Sequence, residues 1–205
     1  MDIILASSSP RRIELLSWLN IPYHAAPSPL DEKSIRNPDP AELTRLLAAA
    51  KAASVRDQHP ESIIIGSDAV IGLDGTILEK PQSADEQRAM LYAQRGKSGQ
   101  VFSSVCIVNA QTEASTIRTK ITTYKMPRLT DEQIESYVAS GQGLDKAGGF
   151  GLQDENGLFI EHLDGCYTNA LGFPLCDVQE MLRHVGIDTS VDINSLVRQR
   201  TGYTC

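Results

Sequence analysis

The chain has 205 residues, 41% of them hydrophobic and 22% charged, enough for one sizeable core without help from disulfides or a structural metal. Nineteen basic residues against 26 acidic ones give a net charge of −7, which argues against general attraction to nucleic acid; an anionic ligand would need the cations gathered locally. The opening run DIILAS has no basic leader and no stretch approaches about 18 apolar residues, so neither export nor membrane insertion is expected.

The four cysteines, Cys106, Cys166, Cys176 and Cys205, show no C-x-x-C spacing and are expected to be reduced thiols of a cytoplasmic protein. Residues 2–7 predict a buried strand. Ser9-Pro10 then supplies a helix start, with the helix expected over 10–19 and Ile13, Leu15, Leu16 and Leu19 on its apolar side. Asp39-Pro40-Ala41-Glu42 repeats the start signal with an acidic capping box, opening a helix to about Val55. Residues 62–66 form a β-branched run that predicts a central strand, placing Asp68 at its C-terminal end. Asp74-Gly75 between apolar pairs predicts a hairpin over 70–78.

Ser83 is expected to cap a helix to about Gln94, followed by strands over 101–108 and 116–124. Thr130-Asp131-Glu132-Gln133 opens another helix, which Gly141 stops. Residues 145–153 read as a glycine-rich loop, 158–163 as a strand, and 174–184 as a helix ended by Gly186. With no repeat, linker or low-complexity segment, the pattern predicts a single mixed α/β domain over 1–205.

Ser7-Ser8-Ser9-Pro10-Arg11-Arg12 carries the most informative local anomaly, because two arginines occupy a helix first turn whose dipole is already positive. A phosphate would resolve the conflict by taking the free N–H groups, serine hydroxyls and guanidinium groups together. The competing explanation is a simple cap with two solvated arginines. Lys51, flanked by alanines, and Lys80, before Pro81, are open to the same choice between anion binding and a stem lying across apolar surface. Asp68 could orient water or hold a divalent cation, or bond its own backbone in a turn. Glu32 is a second carboxylate candidate, which a solvated loop explains equally. Gly148-Gly149-Phe150-Gly151 matches neither G-x-x-x-x-G-K-[ST] nor G-x-G-x-x-G, and His24, His59, His162 and His184 are scattered, which argues against zinc or serine hydrolysis.

In order along the chain, ILASSSPRRIELL (4–16), Asp31-Glu32, Lys51-Ala52, IGSDAV (65–70), Lys80-Pro81, DKAGGFGLQ (145–153) and GCYTNALGFP (165–174) resemble the Maf family of nucleotide pyrophosphatases. The resemblance spans about residues 1–186 and implies a central twisted sheet flanked by helices, with two lobes and a cleft between them. It also implies hydrolysis of a nucleoside triphosphate between its α- and β-phosphates, with Mg²⁺ or Mn²⁺, by a cytoplasmic protein often found as a homodimer, with neither nucleic acid nor membrane as partner. Residue by residue, it places Ser9, Arg11, Arg12 and Lys51 around the phosphates and Lys80 on them. Glu32 falls near the metal, Asp68 at the reacting centre as catalytic residue and metal ligand, and Gln153 in the nucleotide pocket. The block ending in Gln153 resembles the branch associated with dTTP and UTP. Ala69, Gly99 and Ser103 depart from it, standing where threonine, histidine and threonine are common.

Such a reaction needs cations to meet the charge gathering on departing pyrophosphate, and forked arginines, point-charge lysines and a bridging metal all supply it. A carboxylate among cations holds a proton poorly, so Asp68 is expected to orient water and coordinate metal rather than abstract a proton outright. The alternative is a catalytically weak nucleotide-binding regulator of cell division. A nucleic-acid-binding module is disfavoured by the acidic balance and by the lack of a basic patch interleaved with aromatics.

Overall fold

A computed structural model describes residues 1–154 and 159–205. Seven strands form one mixed sheet in the order β2-β1-β3-β5-β6-β7: β1 (Ile3–Leu5), β2 (His24–Ala25), β3 (Ile63–Leu73), β5 (Ser98–Asn109), β6 (Ser115–Lys125) and β7 (His162–Asp164), with β4 (Thr76–Leu78) also on β3. β1 runs parallel to β2 and β3, and every other pairing is antiparallel. The hairpin joins β3 to β4 as expected. Asp74 and Gly75 both take positive φ, 49° and 80°, which suits the tight two-residue turn between Leu73 and Thr76.

One sheet face is covered by α2 (Pro40–Arg56), whose cap is Asp39 accepting from Ala41 N; Glu42 pairs with Arg45 rather than closing a capping box. The closest approach is at Gly66. A Cβ there would collide with the Ala48 carbonyl and the Ala52 nitrogen, so helix and strand are in backbone contact. The opposite face carries two separate apolar clusters. In the first, α1 (Pro10–Ser17), α6 (Leu175–His184) and α7 (Ile193–Thr201) bury Leu15, Leu16, Met181 and Val197 against Leu5, Ile65 and Val105. In the second, α3 (Ala84–Gln94) and α4 (Asp131–Ser140) bury Leu91, Ile134 and Tyr137 with Ile71, Val101, Tyr124 and Phe150. The cleft implied by the resemblance is the seam between these clusters, both resting on one sheet. α4 opens with the full Thr130–Gln133 capping box and ends at Gly141, φ 71°. α5 (Tyr167–Ala170) is a single turn capped by Cys166.

Several expectations change. The predicted strand over 62–66 continues to Leu73, because both of its faces stay covered as far as the hairpin. The predicted strand over 158–163 appears as β7, His162–Asp164; residues 155–158 lie outside the described residues. α7 was not expected. Asp192 caps it, Gly202 ends it in the left-handed region, and its Ile193 and Val197 complete the first cluster.

The expectation of four reduced thiols also fails. Cys176 and Cys205 are disulfide-bonded across 29 residues, because α7 returns the chain to the start of α6. Cys106 and Cys166 stay free and buried, and burial pushes the Cys106 thiol up to about 11. Thiol titration of the unfolded chain should therefore count two groups without reductant and four after reduction. Reduction should lower unfolding stability by about 3.5 kcal/mol on loop-closure grounds. Four titratable thiols without reductant would show that the tail is not tied.

Candidate active site

The site lies where the edge of β3 is left open. β1 pairs with β3 only as far as Ile65, and β4 begins pairing at Ile71, so the intervening β3 backbone has no strand on that side. Arg12 fills the gap. Its Nη1 donates to the Ser67 carbonyl at 2.8 Å and its Nε to the Gly172 carbonyl at 3.2 Å, tying α1 to β3 and to the turn after α5. Burial lowers the Arg12 guanidinium from its ordinary value, while Asp68 and Glu32 act to raise it.

Ser9 stands at the N-cap position of α1, yet its side chain makes no capping bond; its own N–H donates to Ser7 Oγ at 3.1 Å. The first helical bond runs from Ile13 N to Ser9 O, so the N–H groups of Arg11 and Arg12 have no acceptor within the helix. No acidic residue occupies this first turn. Arg11 and Lys80 form no ion pair among the described residues. The first turn thus keeps a hydroxyl, two N–H groups and a guanidinium uncommitted, the composition of an anion site.

On the other sheet face, Lys51 projects from α2 into a buried ion pair. Its Nζ lies 2.6 Å from Asp68 Oδ1 and 3.0 Å from Glu32 Oε2. The Lys51 and Asp68 side chains are 8% and 7% exposed, Glu32 51%. Backbone contact at Gly66 allows this, since Lys51 lies one turn on from Ala48, between the two residues that touch the glycine. Asp68 is therefore not at a strand end, as expected from sequence. It sits mid-strand, just past the point where neighbouring β1 stops pairing.

A pocket joins the open edge to the seam. Its polar end is lined by Ser9, Arg11, Arg12, Lys80, Asp145 and Lys146, and its apolar end by Ile71, Val101, Tyr124, Phe150, Ile160 and Ala170. The structure thus brings together four of the anticipated residues, Ser9, Arg11, Arg12 and Lys80, in one cavity. Lys51, Asp68 and Glu32 form an adjoining cluster linked to it through Arg12. Gln153 is exposed and does not line the cavity.

Sequence inspection missed the supports of the glycine-rich loop. Gln87 and Gln94, seven residues apart on α3, are both fully buried; Gln87 Nε2 donates to the Gly149 carbonyl at 3.0 Å and Gln94 Nε2 to the Gly148 carbonyl at 2.8 Å. Two polar residues on the apolar stripe of a helix were the available signal. Gly148 N donates to the Glu79 carbonyl, linking the loop to the segment that carries Lys80. Lys146, also overlooked, is neutralised by Asp145 at 2.8 Å and Asp154 at 3.4 Å. Burial acts to raise the Asp145 carboxyl, but Lys146 and Arg11 outweigh it and hold it below its ordinary value.

Among known proteins, a family profile described as Maf-like protein matches residues 2–185. A dTTP/UTP pyrophosphatase of Deinococcus radiodurans is 41% identical, covering 90% of this chain and 93% of the relative. A protein of the same name from Salinibacter ruber is 38% identical over 88% of this chain and 89% of its own. A nucleoside triphosphate pyrophosphatase of a Synechococcus species is 37% identical over 90% and 94% respectively.

The two kinds of site residue should separate in stability. Asp68→Asn leaves the buried Lys51 ammonium facing only half-exposed Glu32, and should cost roughly 3 kcal/mol, the low end for removing one partner of a buried pair. Lys80→Ala, at an exposed position, should stay within about 0.5 kcal/mol of the parent. Urea unfolding of both variants measures the difference, and equal midpoints would show that Asp68 carries no structural load.

Proposed function

Because the chain belongs to the Maf family, we propose that it is a nucleoside triphosphate pyrophosphatase that splits the α–β phosphoanhydride bond of dTTP- or UTP-like substrates into monophosphate and pyrophosphate. The supporting observation is the uncommitted anion site at the α1 N-terminus, sharing one pocket with Lys80 and lying beside a buried carboxylate. The triphosphate lies across Ser9, Arg11, Arg12 and Lys80, and the base enters the apolar end between the two clusters.

Water attacks the α-phosphorus in line while pyrophosphate leaves with added negative charge. Arg11 and Lys80 line the same pocket, neither in a direct ion pair among the described residues, and meet that charge from there. Arg12 is held by two carbonyls, which commits its Nε and Nη1 to structure and keeps the guanidinium in place. Asp68 has one oxygen engaged by Lys51; among the described residues its second oxygen accepts no hydrogen bond and is available to orient the water. Lys51 fixes the direction of that carboxylate.

The carboxylates also suit a divalent cation. Glu32 and Asp68 both reach the Lys51 ammonium, at 3.0 and 2.6 Å, which brings the two carboxylates side by side and leaves each a second oxygen for a cation. Among the described residues no third acidic, His or Cys side chain joins them, which fits a metal completed by water and phosphate oxygens. Mg²⁺ or Mn²⁺ held there would supply Lewis-acid stabilisation of phosphate charge. The same proposal includes a cytoplasmic homodimer, where free nucleotides are the substrate; among the described residues no helix is long and apolar enough to cross a membrane.

Incubation of dTTP and UTP in heavy-oxygen water should yield monophosphate carrying the label and unlabelled pyrophosphate in equal amounts, with turnover lost to chelator and restored by Mg²⁺. Lys80→Ala should reduce kcat/KM at least about 100-fold, the scale of losing one preorganised charge contact. Release of orthophosphate would overturn the bond assignment. Tight nucleotide binding without cleavage would favour the regulator instead.

A further inference from the structure

The last residue of the chain ends among sulfur atoms. Cys205 is bonded to Cys176 at the start of α6, and the free thiol of Cys166, at the cap of α5, lies 3.9 Å from the same Cys205 sulfur. Thiol–disulfide exchange begins with a thiolate touching one sulfur of a disulfide, and here the fold itself makes that contact.

Several hydrogen bonds hold Cys166 in this direction. Its sulfur accepts from the Asn169 N–H at 3.3 Å and lies 3.2 Å from Thr168 Oγ1, while its own N–H donates to Thr122 Oγ1 at 3.1 Å. Thr168 Oγ1 accepts from the Leu175 N–H at 2.9 Å and lies 3.7 Å from Cys205 Sγ, so one fixed hydroxyl adjoins both sulfurs. Cys166 is 2% exposed, whereas Cys176 is only half-buried. The attacking sulfur is thus shielded from dissolved reagents, and the one it would release is not. Cys106 takes no part, being buried on the sheet face that α2 covers.

The tail does not have to undock for such an exchange. Tyr167 N donates to the Thr204 carbonyl at 3.0 Å, and the Tyr203 ring stacks on Tyr167 with centroids 4.8 Å apart. Both contacts join the tail to α5 rather than α6, so they stay in place when Cys176 lets go. α5 and the turn after it also supply Ala170, Leu171 and Gly172 to the pocket wall, and the Gly172 carbonyl accepts from Arg12 Nε.

We propose that Cys166, Cys176 and Cys205 form one intramolecular thiol–disulfide exchange site, which passes the end of the chain from α6 to α5 and back. The Cys166 thiol gives its proton to water and its sulfur bonds Cys205 Sγ. The Cys176–Cys205 bond breaks with its electron pair leaving on Cys176, which takes up a proton from water. One disulfide and one thiol enter and leave, so neither oxidant nor reductant is consumed. In the exchanged form the tail is tied covalently to the element that walls the pocket.

The test holds the purified protein, without reductant, with iodoacetamide at about pH 8.5, where an ordinary thiol is half ionised. Samples are quenched in acid, digested with pepsin and mapped by mass spectrometry. Alkylation should accumulate on Cys176 together with a linked Cys166–Cys205 peptide, at a rate independent of protein concentration. Cys166→Ser should keep the Cys176–Cys205 bond and lose the labelling of Cys176. Cys176→Ser, oxidised with glutathione disulfide, should form the Cys166–Cys205 bond, and it decides the matter if the first variant does not fold. A parent whose Cys176 stays unlabelled, or equal labelling of Cys176 in Cys166→Ser, overturns the proposal. A parent isolated with four thiols is first oxidised with glutathione disulfide; if it then forms no bond among the three cysteines, the proposal fails as well.

Discussion

The structure depends on one backbone contact, that of α2 against β3 at Gly66. Because no side chain intervenes there, Lys51 reaches the sheet and its ammonium enters a nearly water-free space beside Asp68. Two charges buried together offset much of each other's desolvation only while both remain, so the pair resists change at either end. Asp68 is thereby fixed in place beside the open edge of β3, where Arg12 replaces the missing strand. Charge, strand length and helix packing are one constraint seen from three sides.

A second constraint works through the opposite face. Two apolar clusters share one sheet without merging, and the seam between them is the pocket. α1 brings Ser9, Arg11 and Arg12 to it from the first cluster, while the glycine-rich loop brings Phe150 from the second. Gln87 and Gln94 keep the loop from drifting, since each donates to a loop carbonyl that would otherwise be buried without a partner. The bond from Gly148 to Glu79 passes that order to Lys80, so a cation on an exposed turn still has a defined position.

How much of this was legible along the chain varies by residue. Ser9, Arg11 and Arg12 stood out because their anomaly is local, two positive side chains in a positive helix turn, though the structure gives Arg12 to two backbone carbonyls. Lys80 stood out only through its place in the family pattern, and Lys51 looked like a lysine on an alanine-rich helix until Gly66 was seen beneath it. Asp68 was recognised but misplaced, because an apolar run that pauses at Gly66-Ser67-Asp68 looks like a strand that stops; what stops is β1, a neighbour. Gln153, anticipated in the pocket, is exposed outside it. The pairing of Cys176 with Cys205 had no signal, since it follows from where α7 turns.

By itself the sequence determined the main strands and helices, the caps at Asp39, Ser83 and Thr130, and the Asp74-Gly75 turn, because each depends on residues within a few positions of one another. Only the tertiary structure decided which charges are shared, which carbonyls Arg12 takes and where the chain's last cysteine lands. Those outcomes depend on distances between segments far apart in the chain, and on burial, which gives a charge or a hydrogen bond its strength.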